Sequence, residues 1–558
     1  MASFFDRVKA PSLKKYEYDF SNEVKLSGKV GELIPFNHQL LSPGDTFRGS
    51  TEVFLRTAPL IHPIFQKLNC DIHHFFVPLR LIWDEFETFI TGYDQKTARP
   101  TELTVPKFVL KGVNFPLLSD INRLIENVAD GGSFDPDVIP ANGYKAPFAI
   151  SSLSDYLGFP CCELARALGV LNGSVTEGTR TAFNVEFSQL PWRAYQQIFN
   201  DYYRDSIKEP IIDFDKSSLD YEFKGAWQTS DVVKHLMRLR KRALGKDYFT
   251  TAQPTPQLGE DVVLSSEGST INSPYVTPIP PSDANIRVSA SDGHLYWGSN
   301  TLAKIVGAND LVVGTINKLR ELFGIQKWAD TGNKFGSRYR EQTLGHFGVE
   351  TPDARLQRAQ YLGGGRVNIL INQVSQLSEG NADSPLGMQA GQAAGYGSDN
   401  FFDFEAKEHG IFMSIVSILP ENTYYRGIPR QLLVSERFDF PFPEFANLGE
   451  QEVKSKEMNL FYQDSFTYGY QERYAEFKSP INRAHGEFTT NLRNFFMASP
   501  QSSNSCTSER ELRVNPLDYD NVFALESSEA DNVYFLFSNH ITKFTPLPYL
   551  NRVTTDYV

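Results

Sequence analysis

The sequence predicts a β-rich protein built as one interrupted sandwich, and three observations support this fold class. Aromatic residues make up 13% of the 558 residues, with 43 Phe and 25 Tyr, and bulky rings pack well on pleated strands. The 32 Pro and 39 Gly are typical of short strands joined by turns. Alternating segments occur at both ends of the chain, whereas helical patterns and long loops lie between them.

The first ninety residues show the strand pattern most clearly. Ser42–Phe47 ("SPGDTF") places Pro and Gly where a β-turn needs them, and Ser50–Arg56 ("STEVFLR") then alternates polar and apolar residues. Asn69–Pro78 ("NCDIHHFFVP") continues as a second strand that ends at its proline. The following segment, 93–147, is irregular and rich in turn residues, so we predict a long surface loop there.

Two segments in the middle of the chain have helical patterns. Leu190–Asp205 ("LPWRAYQQIFNDYYRD") begins with a proline suited to a first helical turn. A stripe of rings follows at helical spacing, which is more typical of core packing than of a cofactor site; its members are Trp192, Tyr195, Phe199 and Tyr202. A second helix is predicted after Asn309 and Asp310, which are favourable cap residues.

Strand patterns return from Arg366 onward, in "RVNILINQVSQ", "HGIFMSIVSILP" and "NVYFLFSNHITKFTPLPYL". The segment 258–310 differs, because it is rich in Ser, Thr, Pro and Gly, and a loop of this length inside a compact protein is commonly functional. We therefore predict one core, formed by residues 1–257 and 311–558 with helical insertions, and an inserted surface loop over 258–310.

The formal net charge of −13 argues against a free-standing nucleic-acid binder, because such proteins usually carry a basic excess that displaces phosphate counterions. Any DNA contact must then be a local patch or be made by a partner. The four cysteines suggest no disulfide framework, which favours a reducing compartment. The N-terminus has no apolar stretch long enough for a signal peptide, and the run "GIFMSIVSILP" is too short to span a bilayer. We expect a soluble cytoplasmic protein without membrane insertion.

One dense basic stretch, Val232–Lys246, is predicted as a helix with leucines on its apolar side. Its charges admit two interpretations. They form either the solvated outer face of a packed helix or a patch that faces nucleic acid. If any part of the chain touches DNA, the prediction is that Arg238, Lys241 and Arg242 do so.

The glycine triplet Gly363–Gly365, followed by Arg366, invites comparison with phosphate-binding loops. Such loops need a helix N-terminus behind the glycines, and here an alternating, β-branched segment follows instead. We therefore predict that the triplet lets the backbone bend at the start of a strand.

Cys70, His73 and His74 suggest a metal site, but neighbouring residues of a strand point to opposite faces, so the three side chains cannot converge. No second Cys/His pair at ligand spacing completes a site. Hydrolase motifs of the G-x-S-x-G and H-E-x-x-H types do not occur in the sequence. We predict no metal, no cofactor and no enzymatic activity.

Several long sequence segments, quoted below as phrases, resemble the major capsid protein of the Microviridae, and most closely that of the gokushovirus kind. They occur in the order found in that family and cover about half of the chain. The phrases are "RTAPLIHPIFQKLNCDIHHFFVPLRLIWDEFETFITG", "LPWRAYQQIFNDYYRD", "DYFTTAQPTPQ", "HFGVETPDARLQRAQYLGGG", "FEAKEHGIF", "ANLGEQEV" and "YGYQERYAEFKSPINRAHGEF". The segments 93–147 and 258–310 have no counterpart in the resemblance.

The resemblance implies an all-β fold, a single eight-stranded jelly-roll β-sandwich interrupted by long loop and helical insertions. It implies the structural subunit of a small T=1 icosahedral bacteriophage capsid around circular single-stranded DNA, assembled in the bacterial cytoplasm. The implied partners are further copies of the chain, a small basic DNA-binding protein, pilot and scaffolding-type proteins, and a host surface receptor. The insertion 258–310 would then be the candidate protrusion at the threefold axes.

Two other functions stay open at this point. A host-binding spike or lectin-like sandwich would form a small closed oligomer, and a sandwich-fold glycosidase would need two carboxylates about 5–10 Å apart in a cleft.

The stretch Asn381–Asn400 is equally compatible with a loop ordered by contacts between subunits and with a disordered surface loop.

Overall fold

The computed structural model describes residues 14–94, 96–97, 99–100, 102–114, 146–167, 183–223, 235–257, 286–288, 295–297, 316–336, 338–350, 352–353, 355–375, 389–446, 449–462, 466–503, 505–525 and 530–549. The chain divides into two compact units, one formed by residues 1–256 and 351–558 and the other by residues 257–350. Most of the predicted surface loop 258–310 lies outside the described residues, so it stays a prediction.

The strands, numbered in chain order, are β1 (Tyr16–Asp19), β2 (Asn22–Gly28), β3 (Ile34–Leu41), β4 (Thr46–Thr57), β5 (Leu68–Pro78), β6 (Tyr93–Asp94), β7 (Arg99–Pro100), β8 (Lys107–Lys111), β9 (Asn184–Ser188), β10 (Tyr221–Phe223), β11 (Ile286–Val288), β12 (Leu295–Trp297), β13 (Gln360–Ser375), β14 (Gln389–Ser398), β15 (Phe402–Glu405), β16 (Gly410–Pro420), β17 (Glu450–Lys454), β18 (Thr467–Glu472) and β19 (Val533–Thr545). The α-helices span Phe86–Thr91, Leu153–Tyr156, Cys161–Ala167, Leu190–Ile198, Ile316–Phe335, Tyr339–Phe347, Ser455–Met458, Ala475–Lys478 and Glu509–Leu512.

Ten of the described strands form one antiparallel sheet in the larger unit. Hydrogen-bonded neighbours follow the order β1-β19-β4-β14-β13-β5-β16-β3, with β15 beside β4 and β2 beside β19. Strand β13 joins the two halves of this sheet, because Gln360–Ile369 pairs with β5 whereas Leu370–Ser375 pairs with β14. The prediction of an all-β fold with helical insertions is confirmed, but the count of eight strands is not.

The described part of the stretch Asn381–Asn400 is mostly strand β14, which pairs with β13 and β4 of the same chain. Both interpretations of this part, a loop ordered by neighbouring subunits and a disordered surface loop, are therefore wrong. Its small residues explain the outcome: Gly397 comes so close to Val367 that an added Cβ would lie 2.7 Å from that side chain. The segment lacks the alternation of bulky residues by which strands are usually predicted.

The sheet curls so that its two halves enclose an apolar interior. Leu55 of β4 and Phe537 of β19 belong to the same buried cluster as Ile72 of β5 in the other half. Phe36 of β3 stacks on Phe537, with ring centres 4.0 Å apart and an angle of 7° between the planes. Because β3 and β19 lie near opposite ends of the strand order, this stack closes the sandwich.

The half of the sheet that contains β5 and β16 is covered on its outer face as well. Strand β16 is buried at every position. Phe412 and Val416 point into the sandwich, whereas Ile411 and Ile415 pack in a cluster with the inserted helices. A strand buried on both faces is apolar at successive positions, which is why this segment is the most apolar run of the chain.

The helix predicted over Leu190–Asp205 is confirmed: an α-helix spans Leu190–Ile198, and a π-helical turn extends it to Tyr203. The predicted proline lies in its first turn. Its rings lie in the core as expected, with Trp192, Tyr195 and Phe199 buried. This helix packs against β5 and β16 and forms part of the outer cover of that half of the sheet.

The prediction of a surface loop over 93–147 is wrong for its described part around Lys107–Lys111. This segment is β8, the central strand of a small sheet between β9 and β10. Phe108 is fully buried and packs edge-on against Trp192, so the strand belongs to the core of the helical insertion. Residues 115–145 lie outside the described residues.

In the smaller unit, the helix Ile316–Phe335 confirms the helix predicted after Asp310. A second helix, Tyr339–Phe347, packs against it, and Trp328 stacks on His346 with ring centres 5.7 Å apart. Strands β11 and β12 form a short antiparallel pair. Among the described residues, every helix is too short or too polar to cross a membrane.

Replacing Phe537 by alanine should lower the free energy of unfolding by about 3–5 kcal/mol, because the change empties the site between the two halves of the sheet. Tyr534→Ala on the same strand is a matched control, since Tyr534 is 44% exposed, and should cost less than about 1 kcal/mol. Chemical denaturation of the unassembled chain measures both values. Equal losses in the two variants would contradict the assigned role of the stack.

Candidate functional site

The basic stretch that was predicted as a helix is not helical from residue 237 to residue 246, so that prediction is wrong for this part. Its backbone instead bonds to a neighbouring segment: the Leu33 N–H donates to the Arg240 carbonyl at 2.9 Å, and the Arg242 N–H donates to the Gly31 carbonyl at 2.7 Å. Tertiary pairing of this kind overrides helix propensity, which is a weak determinant.

Arg242 belongs to a charge network around the buried carboxylate of Asp71. The Arg242 guanidinium donates to Asp71 Oδ2 at 3.1 Å and lies over the Tyr203 ring, 5.2 Å from its centre. Arg366 approaches the same carboxylate through Nε, 2.7 Å from Oδ1, and Nη2, 3.3 Å from Oδ2. Two arginines thus compensate one buried aspartate, and this network lies on the outer face of β5, away from the interior of the sandwich.

Lys241 points away from that network. Its ammonium donates to Asn515 Oδ1 at 2.9 Å, and burial lowers its pKa to about 8 against the opposing effect of Glu509. Arg238 forms an ion pair with Glu509 at 3.3 Å. The structure therefore brings Arg238 and Lys241 together beside an acidic group and places Arg242 elsewhere. That the three residues face nucleic acid stays a prediction.

The residues considered for a metal site diverge, as the strand geometry predicts. His74 lies inside the sandwich, where Nδ1 is 2.8 Å from Ser414 Oγ and Nε2 contacts the buried Asp399 carboxylate. His73 points to the opposite face, 2.8 Å from the Tyr203 hydroxyl, and burial lowers its pKa to about 4. Across the described ranges, no group of three or more His, Cys, Asp and Glu side chains is placed to hold a metal ion.

The glycine triplet is part of strand β13 rather than a phosphate loop. Gly363 has a φ of +140° at a bulge, where the pairing with β5 shifts register. At Gly364 an added Cβ would lie 2.2 Å from the carbonyl oxygen of Ile72, and at Gly365 it would lie 2.6 Å from the Cα of Asp399. The glycines let β13 bend and approach its neighbours closely, so the prediction that they serve the backbone is correct.

A run of exposed rings lies between β16 and β17 and is here called the phenylalanine segment (residues 429–446). The sequence patterns described above did not predict it. Its start is anchored, because Arg430 donates to the buried carboxylate of Glu457 at 2.9 Å. Beyond that anchor the chain forms only short 3₁₀ turns, and Phe438 and Phe440 are 54% and 58% exposed. The signal was present in the sequence "RFDFPFPEF", where phenylalanines alternate with polar residues and prolines.

A family model described as "Capsid protein (F protein)" matches residues 6–129 and 171–552, which is most of the chain. The chain belongs to this family. As a member of the capsid protein family it is a structural protein rather than an enzyme, and its place is in the capsid of a virion.

Three relatives named capsid protein VP1 agree with the family match. That of Chlamydia phage 1 is 28% identical over 88% of this chain and 87% of the relative. That of Bdellovibrio phage phiMH2K is 28% identical over 88% and 85%, and that of Spiroplasma virus 4 is 25% identical over 94% and 93%. The resemblance to a gokushovirus-like major capsid protein of the Microviridae is confirmed.

Asp71→Asn should lower the free energy of unfolding by about 3–5 kcal/mol, because Arg242 then keeps its charge in a largely buried place without a carboxylate. Asp403→Asn removes an ion pair with Arg48 in which both side chains are about half exposed. That control should cost less than about 1 kcal/mol. Chemical denaturation decides the comparison, and similar losses would contradict the importance of the buried network.

Lys241 should make the free energy of unfolding depend on pH. Its pKa lies near 8 in the folded chain and returns to 10.5 on unfolding, so the unfolded chain binds more protons between these values. The cost of the buried charge is present in full below pH 8 and disappears as the pH rises towards 10.5. The stability of the wild type minus that of Lys241→Met, measured by denaturation across this window, should therefore rise with pH. A constant difference would contradict the assignment.

Proposed function

We propose that copies of this subunit build a T=1 icosahedral shell that encloses circular single-stranded DNA. Homo-oligomeric assembly follows from the capsid protein family. The observation that carries the proposal further is the phenylalanine segment, in which Phe438, Phe440 and Phe442 stay 54%, 58% and 36% exposed in the subunit. A structural protein that folds around a complete core gains nothing in solution from such rings, but a shell subunit buries them against a neighbour.

Burial of these rings would contribute substantially to a contact between neighbours. A phenylalanine buries on the order of 150–250 Å² when fully covered, so covering the exposed halves of three rings removes roughly 250–350 Å² from water. At about 25 cal/mol per Å² this contributes on the order of 5–10 kcal/mol before the cost of association. Stable interfaces in obligate assemblies bury about 2,000 Å² or more, so the segment supplies the apolar centre of a larger contact.

The remaining partners follow from charge and from the resemblance. With a net charge of −13 the shell cannot neutralise a genome by itself, so we propose that a small basic protein accompanies the DNA. We further propose pilot and scaffolding-type proteins as partners in assembly, the bacterial cytoplasm as its site, and residues 258–310 as a threefold protrusion that meets a host surface receptor.

Replacing Phe438, Phe440 and Phe442 together by serine should abolish shells and leave a folded, unassembled subunit, because the exposed rings no longer cover a neighbour. The control Arg437→Gln with Glu444→Gln changes exposed charges of the same segment without removing a ring and should assemble normally. Electron microscopy and sedimentation measure assembly, and circular dichroism checks folding. Shells formed by the triple variant would refute the role of the segment, and a small closed oligomer of the wild type would favour a host-binding spike.

A further inference from the structure

A second aromatic surface of the larger unit has a different chemistry. Eight residues are linked by ring contacts into one cluster, here called the arginine–aromatic platform: His62, Phe65, Tyr425, Arg426, Phe488, Arg493, Phe495 and Phe496. They come from three segments that are distant in sequence. Nothing in the sequence pattern predicts their association.

The rings form a stack that ends in solvent. Phe495 stacks on His62, with ring centres 4.6 Å apart and planes at 2°, and on Phe65, with ring centres 5.9 Å apart and planes at 28°. The inner rings are partly buried, whereas Phe65 is 65% exposed. Phe65 is therefore an exposed ring held in place by Phe488 and Phe495, which is the arrangement that a stacking contact with a planar ligand needs.

Two guanidinium groups lie beside the stack. Arg426 and Arg493 flank Tyr425, with Nε atoms 3.0 and 3.4 Å from its hydroxyl and charges 5.3 and 5.2 Å from its ring centre. Within the described residues neither arginine forms an ion pair with a carboxylate. Burial raises the pKa of Tyr425, but the hydrogen bonds and charges of both arginines outweigh this effect and lower it.

We propose that the platform binds single-stranded nucleic acid, with a base stacked on Phe65 and backbone phosphates at Arg426. Sequence-tolerant binding of single strands combines exactly such parts elsewhere, namely exposed rings for bases and cations for the backbone. Arginine adds a cation–π contribution that a lysine supplies less well. The inference rests on the proposed function and deepens it, since the single-stranded DNA that the shell is proposed to enclose would be the ligand.

The surrounding charge distinguishes this surface from one that docks protein. The phenylalanine segment carries three carboxylates, Glu436, Asp439 and Glu444, against two cations, Arg430 and Arg437, so its net charge disfavours a phosphate backbone. The platform has the opposite balance, because Arg426 and Arg493 outnumber Glu487, the exposed residue before Phe488. The two aromatic surfaces therefore suit different partners: the acidic one suits a protein neighbour and the basic one suits nucleic acid.

The test is fluorescence anisotropy of a labelled oligothymidylate of about twenty nucleotides, longer than one binding site, with the purified full-length chain. Phe65→Ala should weaken binding about tenfold, because base stacking on a ring contributes roughly 1–3 kcal/mol. Arg426→Gln should weaken binding and reduce the dependence of log K on log salt by about 0.7, the value for one phosphate contact of a single strand.

Matched controls are available on the same unit. Phe401 is 68% exposed, like Phe65, and Arg56 is exposed and lies over the Phe54 ring at 5.1 Å, like Arg426 over Tyr425. Phe401→Ala and Arg56→Gln should bind the oligonucleotide as the wild type does. Equal affinity for all four variants overturns the proposal.

Electron microscopy of the same variants separates this inference from the proposed function. Shells that form normally from Phe65→Ala, together with weakened oligonucleotide binding, support the proposal. Unchanged oligonucleotide binding with a loss of shells overturns it and makes the platform a contact between subunits. A wild type that binds the oligonucleotide but forms no shells even when it is expressed with the other phage proteins refutes the proposed shell and leaves the binding site supported.

Discussion

Burial of the strand pair β5–β16 on both faces is the constraint on which the rest of the larger unit depends. The two strands pair along their whole length, from Leu68 opposite Pro420 to Pro78 opposite Gly410. One face completes the sandwich, and the other carries the helical insertion. Because both faces are largely removed from water, each buried polar side chain on these strands needs a partner in the fold. The helical insertion is therefore a third layer of the structure, because it buries the outer face of these two strands.

This constraint explains the charge networks that the sequence could only suggest. Asp71 and His73 point to the outer face of β5, and His74 points to the inner face. The outer pair is compensated by arginines and a tyrosine, and the inner histidine by Asp399. Histidines and an aspartate in such places serve the fold. Their proximity in the sequence suggests a metal site. A strand, however, brings successive residues to opposite faces, so these side chains do not converge.

The surface carries the functional information that the core lacks. One aromatic surface has a small excess of acidic residues, with rings between carboxylates, arginines and prolines, and the other is a ring cluster flanked by arginines. A shell subunit has to recognise copies of itself and the genome it encloses, and these are different chemistries. Net charge averages over both surfaces, so a total of −13 is compatible with a local basic site.

The sequence by itself determined the fold class, the strands Asn69–Pro78 and Gly410–Pro420, the helix at Leu190 and the family, since periodicity, turn residues and long shared phrases are local properties. Only the tertiary structure decided that β8 is a core strand, that residues 237–246 of the basic stretch are not helical, and that Gln389–Ser398 joins the sheet. Each of these segments is specified by residues far away in the chain, such as Trp192 beside Phe108 and Gly31 beside Arg242. Hydrogen bonding and burial by distant segments outweigh local propensity, and that is why pattern alone could not place them.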